Sequence, residues 1–334
     1  MRLGAVVGLT GALLYGIFGL AAADYAERPD VVAYVDELVA KHGFDRASLL
    51  AMFSEVDKKQ AILDAISRPA EKVKPWYEYR EIFVTPTRIE QGIEFWREHA
   101  DDLARAEAQF GVPSHVIVSI IGVETRYGRN TGSYRVADAL STLGFDYPPR
   151  AAFFRNELTQ FLLLAREEGR DPLSLTGSYA GAMGYGQFIP SSYRAYAVDF
   201  DGDGKRDIWA NTADAIGSVA NYFNRHGWRT DGPVVVAADP LDARVDAIAN
   251  DALSLNHTVG KIRSLGVSMP GYDDQEPAML IKLDGANGPE YWVGLQNFYV
   301  ITRYNRSSMY ALAVHQLGEA IAGAMTPAVA QQTR

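Results

Sequence analysis

The run Val116-Ile-Val-Ser-Ile-Ile-Gly-Val-Glu-Thr-Arg-Tyr-Gly128 decides how this chain is read. At helical spacing Val116, Ile117, Ile120, Ile121 and Tyr127 form one apolar stripe, and Glu124 falls on that same stripe. A carboxyl placed there is protonated, paired or lining a cavity, because a charged and unpartnered carboxylate in apolar surroundings is strongly disfavoured. Such a setting raises its pKa, which suits a general acid working near neutral pH. The competing reading is a buried glutamate paired with Arg126 or Arg129. Spacing alone leaves both open.

Around this run lies a chain of 334 residues, 48% hydrophobic and 22% charged, enough to bury a large core and to form about two domains. The net charge of −9 argues against a nucleic-acid backbone as partner. With no cysteine, disulfides, thiolate metal sites, a cysteine nucleophile and a cysteine-borne lipid are all excluded. Arg2, an apolar run over 3–20 and Ala21-Ala22-Ala23 predict an export signal over 1–23, with an uncleaved membrane anchor as the alternative. Either places the body outside the cytoplasm.

Residues 24–75 read as an N-terminal helical region. Val32, Tyr34, Val35 and Leu38 make its first stripe, Gly43 stops it, and Asp45 or Ser48 caps the next helix. Trp76-Tyr77-Glu78-Tyr79 opens a second region, expected over 76–230. Further helices are predicted from Pro86, over about 152–168, and over 213–224. After residue 231 the period changes: 234–236, 279–283, 291–294 and 298–301 have the β-branched, alternating character of short strands, giving a small β-containing lobe over 231–300. A segment over 301–325 ends in a helix over 308–325, and 326–334 is a loose tail. The fold class is α+β and predominantly α-helical.

Two loops carry further signals. Ser178-Tyr-Ala-Gly-Ala-Met-Gly-Tyr-Gly-Gln-Phe-Ile-Pro-Ser-Ser192 is glycine-rich, with Ser191 or Ser192 as a cap for a helix near Tyr193. It lacks the Gly-Lys-Ser/Thr ending of a phosphate loop, so nucleotide binding is set aside. In Asp199-Phe-Asp-Gly-Asp-Gly-Lys-Arg-Asp-Ile-Trp209, Asp at positions 1, 3 and 5 and Gly at 6 match the first half of an EF-hand loop. Position 12 is Ala210 in place of glutamate, and Asp214 is the next suitable ligand. An enlarged Ca²⁺ loop is expected, and no organic cofactor.

These stretches, together with "DAIGSVANYF" and "FYVITRYNRSSMYALAV" at 298–314, resemble the lytic murein transglycosylases of the membrane-bound B type, over roughly residues 76–317. The resemblance implies a lysozyme-like catalytic core with Glu124 as sole acid/base. It also implies Ser178, Gln187, Tyr222, Tyr304, Asn305 and Tyr310 along the substrate groove, with Tyr79 and Arg150 as less distinctive additions. Calcium would be held by Asp199, Asp201, Asp203, the Lys205 carbonyl and Asp214. The expected partner is the peptidoglycan glycan strand, with cell-wall synthesis or remodelling complexes as further partners. A monomeric, periplasmic protein is expected, soluble or tethered by its N-terminal segment.

Most glycosidases need two carboxyls flanking the scissile bond. Here Asp138 and Asp146 read as turn or cap residues, so a single carboxyl is expected to work with help from the substrate's acetamido group, giving a 1,6-anhydromuramoyl product without water. The alternatives are a hydrolytic muramidase on the same scaffold and an inactive, calcium-stabilised peptidoglycan-binding protein.

Overall fold

The computed structural model describes residues 25–67, 74–240 and 243–325, so the expected export signal and tail lie outside the described residues. Contacts divide the chain between Val56 and Asp57. In the first unit, Pro29 at the N-terminus and Gly43 in a left-handed C-cap (φ 65°) delimit helix α1, Pro29–His42. Its buried stripe is Val31, Tyr34, Val35 and Leu38; Val31 takes the place expected of Val32, one residue round the helix. Helix α2, Arg46–Ser54, starts where the Asp45 side chain accepts a 2.8 Å bond from Ser48 N–H.

The larger unit begins with α3 (Gln60–Ser67), α4 (Trp76–Phe83), α5 (Pro86–Glu98), α6 (Ala100–Phe110) and α7 (Ser114–Thr125). Thr85 caps α5, and Gly111 ends α6 in the left-handed region. Of the twelve residues of α7, all but His115 and Glu124 are buried. The single stripe read from sequence is thus part of a helix enclosed on every side, as a helix apolar all round must be. Helices α5 and α6 pack on it, as do α11 and α14 introduced below. Each fully buried Val or Ile there contributes about 1.5–3 kcal/mol.

Strand β1 (Tyr134–Arg135) pairs antiparallel with β2 (Thr176–Gly177) and brackets α8 (Val136–Asp146) and α9 (Ala151–Glu167). Helix α10 (Pro190–Tyr196) starts at Pro190 with no side-chain cap of its own. The expected cap at Ser191 or Ser192 is replaced by the buried Glu157 of α9, which accepts a 2.9 Å bond from Ser191 N–H. Asn211 caps α11, Thr212–Arg225.

The small lobe is one antiparallel sheet in the order β3-β6-β5-β4: β3 (Val235–Ala238), β4 (His257–Thr258), β5 (Pro277–Gly285) and β6 (Gly288–Gly294), with α12 (Val259–Ser264) beside it. Val245, Val259, Ile262, Val267, Leu280 and Val293 form its core. The fourth expected strand, 298–301, is instead helical: it lies within α13, Gln296–Tyr304, and buries Asn297, Phe298, Val300 and Ile301. β-Branched residues there obey a helical spacing once Asn297 is counted as buried. Helix α14, Ser308–Met325, closes the core against α7. Among the described residues no single helix is long and apolar enough to cross a membrane.

Candidate active site

Glu124 occupies the last turn of α7, which ends abruptly because Arg126, Tyr127 and Gly128 all adopt left-handed backbone (φ 52°, 60° and 82°). For the two non-glycine residues this costs roughly 1–2 kcal/mol each. Side-chain anchors offset it. Arg126 Nε donates to Gln91 Oε1 (2.8 Å), and the Tyr127 hydroxyl donates to Arg88 O (2.8 Å). Arg88 Nη1 in turn donates to Gly122 O (2.5 Å). Thr125 Oγ1 accepts from Gly128 N–H (3.0 Å) and lies 2.9 Å from Tyr185 O, joining the end of α7 to the glycine-rich loop.

This arrangement removes the competing reading of Glu124 as half of an ion pair. Arg126 is engaged by Gln91, and Arg129 approaches Glu94 at 3.9 Å. The Glu124 carboxyl has one hydrogen-bond partner among the described residues, the Tyr310 hydroxyl, which donates to Oε1 at 2.5 Å. Burial pushes the carboxyl from 4.5 to about 7, and the Tyr310 bond pulls weakly the other way. Glu124 nonetheless keeps partial exposure, so a substrate can reach it.

Phenols surround this carboxyl. Burial first, and the Glu124 charge second, push the hydroxyls of Tyr79, Tyr304 and Tyr310 upward, so all three remain proton donors at neutral pH. Tyr304 donates to Gly186 O (2.5 Å), and Tyr222 donates to Arg303 O (2.7 Å) with its ring edge-on to Tyr304. A Cβ at Gly186 would lie 2.8 Å from the Tyr304 hydroxyl, so a side chain there would have to displace it. Gln187, at φ 50°, commits its amide NH₂ to Thr131 O (3.1 Å) and Gly184 O (3.0 Å). Its Oε1 is left without a partner among the described residues.

Ser178 Oγ accepts from Ala180 and Ala182 N–H (3.3 and 3.0 Å), shaping the turn of the same loop. Asn305 is exposed at the extended break between α13 and α14. Six of the expected residues, Tyr79, Gln187, Tyr222, Tyr304, Asn305 and Tyr310, thus belong to Glu124's surroundings or to segments bonded to them. Arg150 stands apart: it is exposed, its guanidinium lies over Phe153 and Phe154 at 4.4 and 5.1 Å, and no bond ties it to this cluster.

No second carboxyl is free to act with Glu124 in the expected positions. Asp138 is fully buried, accepts from Asp57 N–H (3.1 Å), and pairs with Arg135 (2.9 Å) and Lys59 (3.4 Å). Asp146 pairs with Lys58 at 3.0 Å. The positioning roles of Thr125, Arg88 and Gln91 were not read from the sequence. Only their proximity to the helix end in space reveals them.

In the acidic loop, carboxylate oxygens of Asp199, Asp201 and Asp203 lie within 4.8 Å of one another. Asp199 accepts from Gly202, Asp203 and Gly204 N–H, folding the loop around itself. Asp214 is buried beneath it and accepts from Phe200 and Asp207 N–H, each at 2.7 Å. Burial, with the neighbouring Asp201 charge adding to it, raises the Asp214 carboxyl. Lys205 N–H donates to Asp203 Oδ1 (2.9 Å), which keeps the Lys205 peptide in the ring. Converging hard oxygen donors with mutual repulsion fit a divalent cation such as calcium.

The transglycosylase SLT domain family matches residues 27–319 of this chain. The chain is 45% identical over 309 residues to the membrane-bound lytic murein transglycosylase B of Escherichia coli (strain K12), covering 90% of this chain and 84% of that protein. Among solved structures it is similar to the catenated lytic transglycosylase SltB1 of Pseudomonas aeruginosa (58% identity, TM-score 0.88, 90% of this chain and 99% of that one). The Escherichia coli lytic transglycosylase Slt35 in complex with calcium matches at 45% identity and TM-score 0.82, over 90% and 95% of the two chains. SltB3 of Pseudomonas aeruginosa in complex with NAG-NAM-pentapeptide matches at 32% and 0.79, over 88% and 79%.

Proposed function

This chain belongs to the transglycosylase SLT domain family and is a lytic murein transglycosylase, a peptidoglycan-cleaving lyase with a lysozyme-like fold; we propose that a single carboxyl, Glu124, serves it as both acid and base. The observation that carries this reading is the company Glu124 keeps. Its carboxyl is raised to about 7 and meets a phenol, while Asp138 and Asp146 are committed to cations elsewhere.

The protonated Glu124 donates its proton to the glycosidic oxygen as the bond to C1 of N-acetylmuramic acid breaks. The 2-acetamido oxygen of that sugar bonds to C1 in its place, as in substrate-assisted glycosidases. The Glu124 carboxylate, now accepting the Tyr310 hydrogen bond, takes the proton from the sugar's own C6 hydroxyl. O6 attacks C1, the acetamido oxygen leaves, and a 1,6-anhydromuramoyl end forms with Glu124 reprotonated. No water enters the balance. The free Gln187 Oε1, Ser178 and Asn305 are the polar groups that orient the strand, and Tyr222 and Tyr304 wall the groove.

Calcium is proposed as a structural ion in the acidic loop, held by Asp199, Asp201, Asp203, the Lys205 carbonyl and Asp214, with no part in the chemistry. A periplasmic location follows from the substrate. The decisive measurement is the mass of muropeptides released from purified murein: an anhydro end is lighter by one water than the reducing end a hydrolase leaves. Reducing ends as the main product would assign the hydrolytic muramidase instead.

A further inference from the structure

The acidic loop and the end of α7 are joined through the backbone of one residue, Tyr185. Its N–H donates to Ile208 O (3.0 Å), and its carbonyl accepts from the Thr125 hydroxyl (2.9 Å). Ile208 follows Asp207 in the acidic loop, and Asp207 N–H donates to the buried Asp214 carboxyl (2.7 Å). Gly184 lies against the same Ile208 carbonyl: its φ is 66°, and a Cβ there would collide with that oxygen. A continuous hydrogen-bonded path therefore runs from a proposed calcium ligand, Asp214, to the residue that follows Glu124.

Thr125 can end this path in two ways. Its hydroxyl has one proton and two acceptors in reach, Tyr185 O at 2.9 Å and Ile121 O at 3.1 Å. The second is the bond to the carbonyl four residues back that any helical threonine can make. Ile121 O already accepts from Tyr127 N–H (3.2 Å), which favours Tyr185 O while the glycine-rich loop is held in place. Thr125 Oγ1 also accepts from Gly128 N–H (3.0 Å), bracing the left-handed turn that ends α7. The residue is only 1% exposed, so water does not replace a lost partner. Across the groove, Gly186 and Gln187 follow Tyr185 directly, and Gly186 O holds the Tyr304 hydroxyl.

We propose that Thr125 is a positioning residue for Glu124, and that through Tyr185 it carries the order of the acidic loop to the end of α7. When the acidic loop is closed, Asp214 and Asp207 fix Ile208 O, Tyr185 is held at both backbone groups, and Thr125 keeps Glu124 in register with Gln187 and Tyr304. When the acidic loop opens, the hydroxyl returns to Ile121 O and the turn after Glu124 loosens. Two discrete arrangements of one hydroxyl thus link the two sites. The proposal rests on the reading of Glu124 as the acid.

The first test needs no turnover. Amide-resolved hydrogen exchange of the full-length protein, in calcium and in chelator, is expected to show calcium slowing the Tyr185 and Gly128 N–H groups about tenfold or more. In Thr125→Val the effect should persist at Tyr185 and vanish at Gly128. The second test is kinetic. Thr125→Val is expected to lower kcat per folded molecule about tenfold with KM within about twofold, and Thr125→Ser to restore most of it. Chelator should lower the kcat of the parent toward that of Thr125→Val and leave the variant unchanged. Exchange at Gly128 N–H that ignores calcium in the parent overturns the proposal, whether or not the variant folds. So does a Thr125→Val kcat equal to the parent's, or losses from chelator and variant that simply multiply. Failure of the underlying reading is seen separately, as turnover retained by Glu124→Gln.

Discussion

The Tyr310 hydroxyl donates a 2.5 Å hydrogen bond to Oε1 of Glu124, the one bond this carboxyl makes among the described residues. The phenol is itself buried and held protonated, so it stabilises the carboxylate without competing for the proton. The proposed reaction requires Glu124 first protonated and then ionised, and the opposed effects of burial and Tyr310 hold it near 7, where both states are accessible.

Glu124→Gln is expected to reduce kcat by at least ~10³-fold, the upper range of general acid–base catalysis. It also carries a stability prediction. The folded pKa is raised, so the ionisation cost is absent below about 4.5 and fully present above about 7. Glu124→Gln removes that cost, worth about 1–2 kcal/mol after allowance for partial exposure. Denaturant melts should find the variant stabilised at pH 8 and not at pH 4; equal shifts at both would contradict the assignment.

The proposed acid step requires protonated Glu124, so kcat/KM should fall on the alkaline side with a midpoint near the Glu124 value of about 7. Tyr310→Phe removes a bond that favours the carboxylate, which raises the pKa further. The alkaline limb should therefore move to higher pH, with kcat lowered about tenfold or more. A limb that stays in place, or moves down, means that another group governs it.

For the acidic loop the size of a mutational effect depends on the ion. With calcium at a hundred times its dissociation constant the folded state gains about 2.7 kcal/mol, so chelation should lower the melting temperature. Asp201→Asn is expected to destabilise the protein more in calcium than in chelator, because in calcium it removes a proposed ligand in addition to weakening the acceptor that Asn211 and Asp203 N–H use. Melts that respond identically in the two buffers would remove the calcium assignment.

Asp138→Ala should lose about 1–3 kcal/mol, since it leaves Asp57 N–H without an acceptor and removes one of the partners of the part-exposed Arg135 and Lys59. Its kcat per folded molecule should remain within a few-fold of the parent enzyme. A selective loss of kcat with normal stability would instead make Asp138 a second catalytic carboxyl.

Much of this molecule is legible in its sequence where one physical signal dominates. Helix α14 is bounded as the periodicity of Met309, Leu312, Leu317 and Ile321 predicts, and the turn to the β lobe follows the change of period after residue 231. The errors arise where signals conflict. Residues 298–301 are rich in β-formers, yet they fold as helix α13 because the buried Asn297 bonds Arg229 O and Gly232 O and pins the segment to the preceding loop. Glu124 itself could not be resolved between ion pair and free acid, since the partners that claim Arg126 and Arg129, Gln91 and Glu94, lie a helix away.

Glu124 and its phenol partner are separated by 186 residues of chain, and α14 is the last element of the described fold. During synthesis the acid emerges long before Tyr310 does. A nascent or proteolytically clipped chain that lacks α14 therefore carries Glu124 in an open core, without the burial or the bond that tunes it. Removal of α14 therefore takes away together the donor to Glu124 and part of the packing that raises it, and with them the tuning on which the proposed acid depends.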